Sequence, residues 1–132
     1  MQTRRIFFRN LAGALGFGFI ALESRLAWAK KLAVKIDKIP SLKKVGGSAR
    51  VKLVGKEILL IRDSSTSVKG MGAKCTHKAC DLSYSAKRGK IECTCHGSAF
   101  DLTGKVLSGP ATQSLPVYPA QLSGDRIVLV VN

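Results

Sequence analysis

No predominantly apolar run in this 132-residue chain approaches the ~20 residues that a membrane-spanning helix needs. The apolar stretch near the N-terminus, Asn10 to Leu22, has thirteen uncharged residues and stops at Glu23 and Arg25 on one side and Arg9 on the other. After Trp28 no segment holds a convincing helical period, which argues against a helical bundle. Internal repeats and low-complexity tracts are absent, so the chain is not a repeat array. Acidic residues are scarce: 8 against 22 Lys and Arg, a formal net charge of +14. Cysteine and histidine are scarcer still, with four and two. All six nevertheless fall within the 22 residues from Cys75 to His96.

That span reads Cys75-x-His77-x-x-Cys80, twelve residues, then Cys93-x-Cys95-His96. Each half offers a thiol and an imidazole close enough to clamp one metal. Zinc takes four N/S ligands in a tetrahedron, and spaced Cys/His pairs are its usual signal. Six candidates exceed that need, and one zinc could not easily use both Cys95 and its neighbour His96. A nucleophilic Cys/His pair needs fewer residues than are clustered here, and two disulfides would leave both histidines idle. A two-iron, two-sulfide cluster uses the set more fully, with thiolates on one iron, imidazoles on the other and two cysteines left to pair.

The pattern C-x-H-x15-C-x-x-H, realised as Cys75, His77, Cys93 and His96, with the additional Cys80 and Cys95 and the following Gly97-Ser98-x-Phe100-Asp101, resembles the Rieske iron–sulfur proteins. The resemblance covers roughly residues 45 to 131. It implies an all-β fold of small stacked antiparallel sheets and one [2Fe-2S] cluster per chain, held by two loops that a Cys80–Cys95 disulfide closes. Cys75 and Cys93 would bind the buried iron, His77 and His96 the outer one. Ser98 would donate a hydrogen bond to a bridging sulfide. Gly109-Pro110-Ala111 looks like the proline loop that covers the cluster from a third side. Two neutral imidazoles in place of thiolates raise the potential to about −150 to +300 mV, against about −400 mV for all-cysteine plant-type ferredoxins.

The chain opens with Thr3-Arg4-Arg5-Ile6-Phe7-Phe8-Arg9, continues through the apolar stretch and reaches Ala27-Trp28-Ala29. Basic, apolar and small-residue regions in that order spell a signal peptide, and the paired arginines resemble the twin-arginine export signal. The expected division is a signal at 1–29 and a Rieske domain at 30–132, delivered to a bacterial periplasm. A retained N-terminal membrane anchor is the alternative. The twin-arginine route exports proteins already folded around their cofactors, and an oxidising destination lets a disulfide persist.

Strand patterns are short and numerous. They predict strands at 32–36, 49–54, 57–62, 68–73 and 90–93, a hairpin over 99–107 turning at Thr103-Gly104, and strands at 115–122 and 126–131. Such a domain has a limited core, so a disulfide and a bound cluster would contribute materially to its stability.

Departures from the respiratory members of the family narrow the function. Where quinol-oxidising subunits typically read C-T-H-L-G-C and C-P-C-H-G-S-x-Y, this chain has Lys78 for leucine, Ala79 for glycine, Thr94 for proline and Phe100 for tyrosine. A hydrated lysine ammonium docks poorly into an apolar quinone site. Without the signal, 18 basic and 7 acidic residues leave +11, and Lys74, Lys78, Lys87, Arg88 and Lys90 surround the motif. Such a surface steers encounter with an acidic redox partner, a c-type cytochrome or an oxidoreductase subunit. Nucleic acid is a poor fit for an exported protein, and contact with a membrane surface stays open. The expected function is one-electron transfer between redox partners. The alternative is an iron–sulfur subunit of a larger oxidoreductase, of the quinol–cytochrome c or arsenite oxidase type. A Rieske oxygenase component is weaker, because nothing offers that enzyme's 2-His-1-carboxylate triad.

Overall fold

The computed structural model describes residues 30–132; the expected export signal and its cleavage site lie outside the described residues. The strands are β1 (Lys30–Lys35), β2 (Ser48–Leu53), β3 (Lys56–Ile61), β4 (Lys69–Gly72), β5 (Leu82–Ser85), β6 (Lys90–Cys93), β7 (Ala99–Phe100), β8 (Val106–Ser108), β9 (Val117–Tyr118), β10 (Ala120–Ser123) and β11 (Arg126–Val131). They form three antiparallel sheets, ordered β1-β11-β10, β2-β3-β4-β9 and β5-β6-β7-β8. Among the described residues, no helix is long and apolar enough to cross a membrane.

The middle sheet is covered on both faces, and β3 shows why. Its Ile58-Leu59-Leu60-Ile61 run is continuously apolar rather than alternating, the pattern of a strand buried on two sides, and all four residues are buried. Ile58 and Leu60 pack with Leu42, Val68, Ile127, Leu129 and Val131 toward the β1-β11-β10 sheet. Leu59 and Ile61 pack on the other face with Met71, Leu82, Ile91, Phe100 and the thiols of Cys75 and Cys93. Burying each such aliphatic side chain contributes about 1.5–3 kcal/mol. The thiols at the roots of the candidate ligand loops belong to this second core.

β4 can accept β9 closely because Gly70 and Gly72 leave room. A Cβ at Gly70 would lie 2.7 Å from the Tyr118 carbonyl oxygen, and one at Gly72 would meet the Pro116 ring at 3.0 Å. Two 3-10 turns, Ile36–Lys38 and Pro40–Lys43, carry Leu42 into the core. Arg62 ties the second turn to the β3–β4 loop, donating to the Leu42 carbonyl at 2.9 Å and the Ser65 carbonyl at 2.9 Å.

The β2–β3 hairpin turns on Val54 (φ 50) and Gly55 (φ 73), the two-residue connection that favours Asn-Gly. A β-branched residue in this left-handed region is strained, and Val54 is 53% exposed, so it gains little from packing. Val54→Asn should stabilise the domain by about 1 kcal/mol, read as a melting temperature raised by roughly 4–8 °C.

The expected all-β class is what the chain adopts. Three details differ from the sequence reading. Leu82–Ser85 forms a strand where none was expected, pairing with β6. The segment expected as one strand over 115–122 is broken at Pro119 into β9 and β10, which join different sheets, because proline cannot donate to a ladder. The expected 99–107 hairpin has only two residues in its first strand, β7, before Asp101 takes over the turn. The Asp101 carboxylate accepts the backbone N–H groups of Thr103 and Lys105 and the Thr103 hydroxyl, and the hydroxyl bond leads in holding its pKa below the usual value.

Candidate metal centre

Two loops carry all six soft donors, and their backbones follow one plan. The first, Cys75–Cys80, leaves β4 through the Lys74–Asp81 bridge; the second, Cys93–Ser98, joins β6 to β7 across the Glu92–Ala99 pair. In the first, Cys75 N–H donates to the Cys80 carbonyl at 2.7 Å and Ala79 N–H to the Cys75 carbonyl at 2.9 Å. In the second, Cys93 N–H donates to the Ser98 carbonyl at 2.8 Å and Gly97 N–H to the Cys93 carbonyl at 3.1 Å. Each loop turns through a left-handed residue at the same position, Ala79 (φ 54) and Gly97 (φ 80). The two thiols thus occupy equivalent places at the loop roots. The sequence carries this equivalence only faintly, since the histidines stand at different offsets.

Depth separates the donors by type. Cys75 and Cys93 are 4% and 2% exposed, whereas His77 and His96 are exposed. The two imidazole rings meet edge-on with centroids 5.0 Å apart. The expected Cys80–Cys95 disulfide is present, with a Cα–Cα distance of 6.3 Å, and it ties the loops together. Cys75 and Cys93 are free thiols.

A third segment closes over them. Ala111 N–H donates to the buried Ser98 Oγ at 3.0 Å, and the Thr76 hydroxyl donates to the Gln113 carbonyl at 2.7 Å. The Gly109-Pro110-Ala111 stretch thus packs against the second ligand loop, with Ala111 in the same core as Cys75 and Cys93. Ser98 Oγ accepts from Ala111 and lies in the same buried site, where its hydroxyl is one of the groups that favour the Cys75 thiolate. Burial pushes the Cys75 thiol up, but hydrogen bonds from the His77 backbone, Cys93, Ser98 and the Lys78 backbone together hold it below its ordinary value. That loop is built to stabilise a thiolate, the form a metal requires. Phe100 is fully buried in the core that holds both thiols and offers no donor.

The ring of basic residues expected around the motif is partly neutralised. Lys74 Nζ lies 2.5 Å from Asp81 and 3.2 Å from Glu57 Oε2, which has no hydrogen-bond partner among the described residues. Arg50 joins the same group, 3.0 Å from Asp81, while donating to the Leu82 carbonyl at 2.8 Å. The Lys74 hydrogen bond is the main cause holding the Asp81 carboxyl below its usual pKa. This stabilisation is present above the ordinary carboxylate value and fades as pH falls through the lower folded one. Arg88 pairs with Glu92 at 2.9 Å. Among the described residues Lys78 and Lys87 have no ion-pair partner and remain as open positive charge beside the site.

A hollow of about 580 Å³ between β4, β9 and β11, lined by Lys31, Ser67, Lys69, Gln121 and mainly apolar side chains, holds none of these donors. The Cys80, Cys93 and Cys95 sulfurs lie within 4.8 Å of one another. Two of those sulfurs are bonded to each other, so the trio is not a ligand set in the disulfide form. Two buried thiols beneath two exposed imidazoles instead fit a two-iron group of mixed sulfur and nitrogen ligation.

The fold and donor set define a small all-β metal-binding domain built on two disulfide-linked loops. Residues 33–119 match the Rieske [2Fe-2S] domain family, and the chain belongs to that family, whose domain carries a [2Fe-2S] cluster. It is 36% identical over 99 residues to cytochrome b6-f complex iron-sulfur subunit 1 of Nostoc, covering 73% of this chain and 55% of that protein. With the corresponding subunit of Trichodesmium erythraeum it shares 44% identity over 59 residues, 45% of this chain and 33% of that one. The chain thus spans about half or less of the length of these curated relatives. Among solved structures, the cyanobacterial plasma membrane Rieske protein PetC3 from Synechocystis superposes with a TM-score of 0.60 at 28% identity, covering 74% of this chain and 97% of that one. The ferredoxin of carbazole 1,9a-dioxygenase from Nocardioides aromaticivorans, at 23% identity and a TM-score of 0.61, covers 74% and 92% and shares the fold.

Proposed function

We propose that this protein carries single electrons between protein partners in the periplasm, with Cys75 and Cys93 as inner and His77 and His96 as outer ligands of the cluster. The observation that carries this reading is the depth ordering: two exposed imidazoles 5.0 Å apart above two thiols that are almost fully buried. When bound, the cluster supplies a one-electron couple of high potential for an iron–sulfur centre. The chain's residues do the rest. The core around Leu82, Ile91 and Phe100 excludes water from the thiols, and the exposed imidazoles shorten the path to a docked partner. Lys78, exposed beside His77, favours a hydrated protein surface over an apolar quinone pocket. The excess of basic residues favours an acidic partner such as a c-type cytochrome. The disulfide and the arginine-paired N-terminus support export to an oxidising compartment.

Purified protein should contain iron and acid-labile sulfide in equal amounts and give a Rieske-type paramagnetic signal after dithionite. Its electron exchange with an acidic c-type cytochrome should slow as salt is raised. Tightly bound zinc without sulfide would overturn the cofactor assignment, and salt-independent exchange would remove the acidic partner.

The similarity to cytochrome b6-f iron-sulfur subunits favours a second reading, a subunit of a larger oxidoreductase. Stable co-purification with a membrane cytochrome would select it.

The polar contacts predict how the potential is set. A hydrogen bond to a cluster or ligand sulfur strengthens as that sulfur gains electron density, so it favours the reduced state. Ser98→Ala removes the buried hydroxyl that the family resemblance assigns as a donor to a cluster sulfur and should lower the midpoint. Phe100→Tyr adds a hydroxyl next to the thiols and should raise it. A neutral hydrogen bond differing by about 1 kcal/mol between redox states corresponds to roughly 40 mV. Film voltammetry reads both shifts, and an unmoved or lowered midpoint in Phe100→Tyr would place that ring away from a ligand sulfur.

A further inference from the structure

On the basis of the cluster ligation proposed above, we propose that Arg50 is a positioning residue: it clasps the C-terminal root of the first ligand loop to the middle sheet and so sets how His77 stands relative to His96. The two loops are rooted differently. The second joins β6 to β7, neighbours in one sheet. The first leaves β4 in the middle sheet and enters β5 in the third, so its pose depends on how those two sheets are held together. Main-chain bonds supply part of that link, from Ala73 N–H to the Glu57 carbonyl at 3.0 Å and from Leu82 N–H to the Ala73 carbonyl at 3.0 Å. Arg50 supplies the side-chain part. It stands opposite Leu59 in the β2–β3 ladder, and directly opposed residues share a face. Leu59 packs in the core that holds the thiols, so Arg50 projects from that same face. Its Nη1 lies 3.0 Å from Asp81 Oδ2, and its Nη2 donates to the Leu82 carbonyl at 2.8 Å. Asp81 directly follows the disulfide-bonded Cys80, and Leu82 is fully buried beside both thiols.

A single exposed ion pair contributes little, but two features lift this one above that. The guanidinium fork is planar, so gripping a carboxylate and a carbonyl together fixes direction as well as distance. The carboxylate is also gripped from the other root of the loop, because Lys74 Nζ lies 2.5 Å from Asp81 Oδ1 and the two backbones form a β-bridge. Both ends of the first loop thus converge on Asp81, and Arg50 ties Asp81 to β2. The disulfide joins the loops at one point, Cys80 to Cys95, and one tie does not fix an orientation. The clasp on the next two residues adds the missing constraint. A turn of the first loop would carry His77 with it and disturb the edge-on contact with His96, whose ring lies 5.0 Å away at 83°. Groups outside the ligand shell that orient the ligands are a common means of tuning what a site holds.

Arg50→Lys provides the test, because it keeps the charge but cannot hold Asp81 and Leu82 with one planar fork. In the metal-free full chain with its disulfide intact, the nuclear Overhauser contact between the His77 and His96 rings should weaken or vanish. In the loaded protein the g values of the reduced paramagnetic signal should shift, and iron release to a chelator should quicken about fivefold. Asp81→Asn loosens the same grip and should move these readings in the same direction. If Arg50→Gln moves them while Arg50→Lys keeps the ring contact and the signal of the unaltered protein, Arg50 acts through its charge alone and the proposal fails. It fails equally if Arg50→Lys lowers the urea midpoint but leaves ring contact and signal unchanged, since the role is then only structural. Should Arg50→Lys not fold, as judged by far-ultraviolet circular dichroism, Asp81→Asn decides by the same two readings. The ring contact is read without metal, so a changed contact in a protein that proves to bind zinc would overturn the cluster assignment and leave the clasp standing.

Discussion

Replacing Cys80 and Cys95 together by Ala should destabilise the domain by about 2–4 kcal/mol, a large part of what a domain of this size holds. The bond spans a sequence separation of 15 residues, and closing a loop of that length accounts for about 3 kcal/mol in the chain-entropy description. The native state has few substitutes for it. Near the site, the loops are otherwise joined through Phe100 and Leu82 in the core and through the contacts of the 109–113 segment. Loss of the bond should therefore act locally as well as globally, letting the two imidazoles separate and water reach the buried thiols. Urea unfolding measures the first effect, and the rate of iron release to a chelator measures the second. A double variant with unchanged urea midpoint and unchanged release rate would show that the paired loops hold themselves.

The donor set was legible because its residue types are rare: six cysteines and histidines in one short span admit few chemistries. The all-β class was legible for a similar reason, since period-two stretches such as Ala49-Arg50-Val51-Lys52-Leu53 leave little choice. β3 was harder to interpret fully. Its unbroken Ile58–Ile61 run announced a strand but not that both faces would be covered by different sheets. β5 was hidden because Leu82-Ser83-Tyr84-Ser85 is half polar and gains its order from the short hairpin it forms with β6, a pairing that the residues of the segment alone do not announce. The ion-pair group of Lys74, Asp81, Glu57 and Arg50 was invisible because it is assembled from β2, β3 and the bridge at the root of the first ligand loop, which lie far apart in sequence. Counting lysines near the motif therefore overstated the open positive charge. Equally, nothing in the spacing of C-T-H-K-A-C and C-T-C-H-G-S announced that the two loops share one hydrogen-bonding plan.

Changing any one of Cys75, Cys93, His77 or His96 to Ala should abolish the native paramagnetic signal, but the four changes should divide in their effect on the chain itself. His77 and His96 are exposed and make few packing contacts, so the apoprotein should tolerate their loss within about 0.5 kcal/mol, as other surface changes do. The loaded protein should lose far more, because binding energy at a site formed by folding is folding energy. Cys75 and Cys93 are core residues, and their replacement should also weaken the apoprotein by a lost sulfur's worth of packing. His96→Cys supplies a sharper test of role than deletion. It puts a charged thiolate where a neutral imidazole stood, so a cluster that still assembles should fall by a few hundred mV toward the value of about −400 mV that all-cysteine plant-type ligation gives. Urea unfolding with and without iron, paramagnetic resonance and voltammetry cover the series. Retention of the Rieske-type signal in His77→Ala or His96→Ala would remove that residue from the ligand set, and an unshifted potential in a loaded His96→Cys protein would do the same for His96.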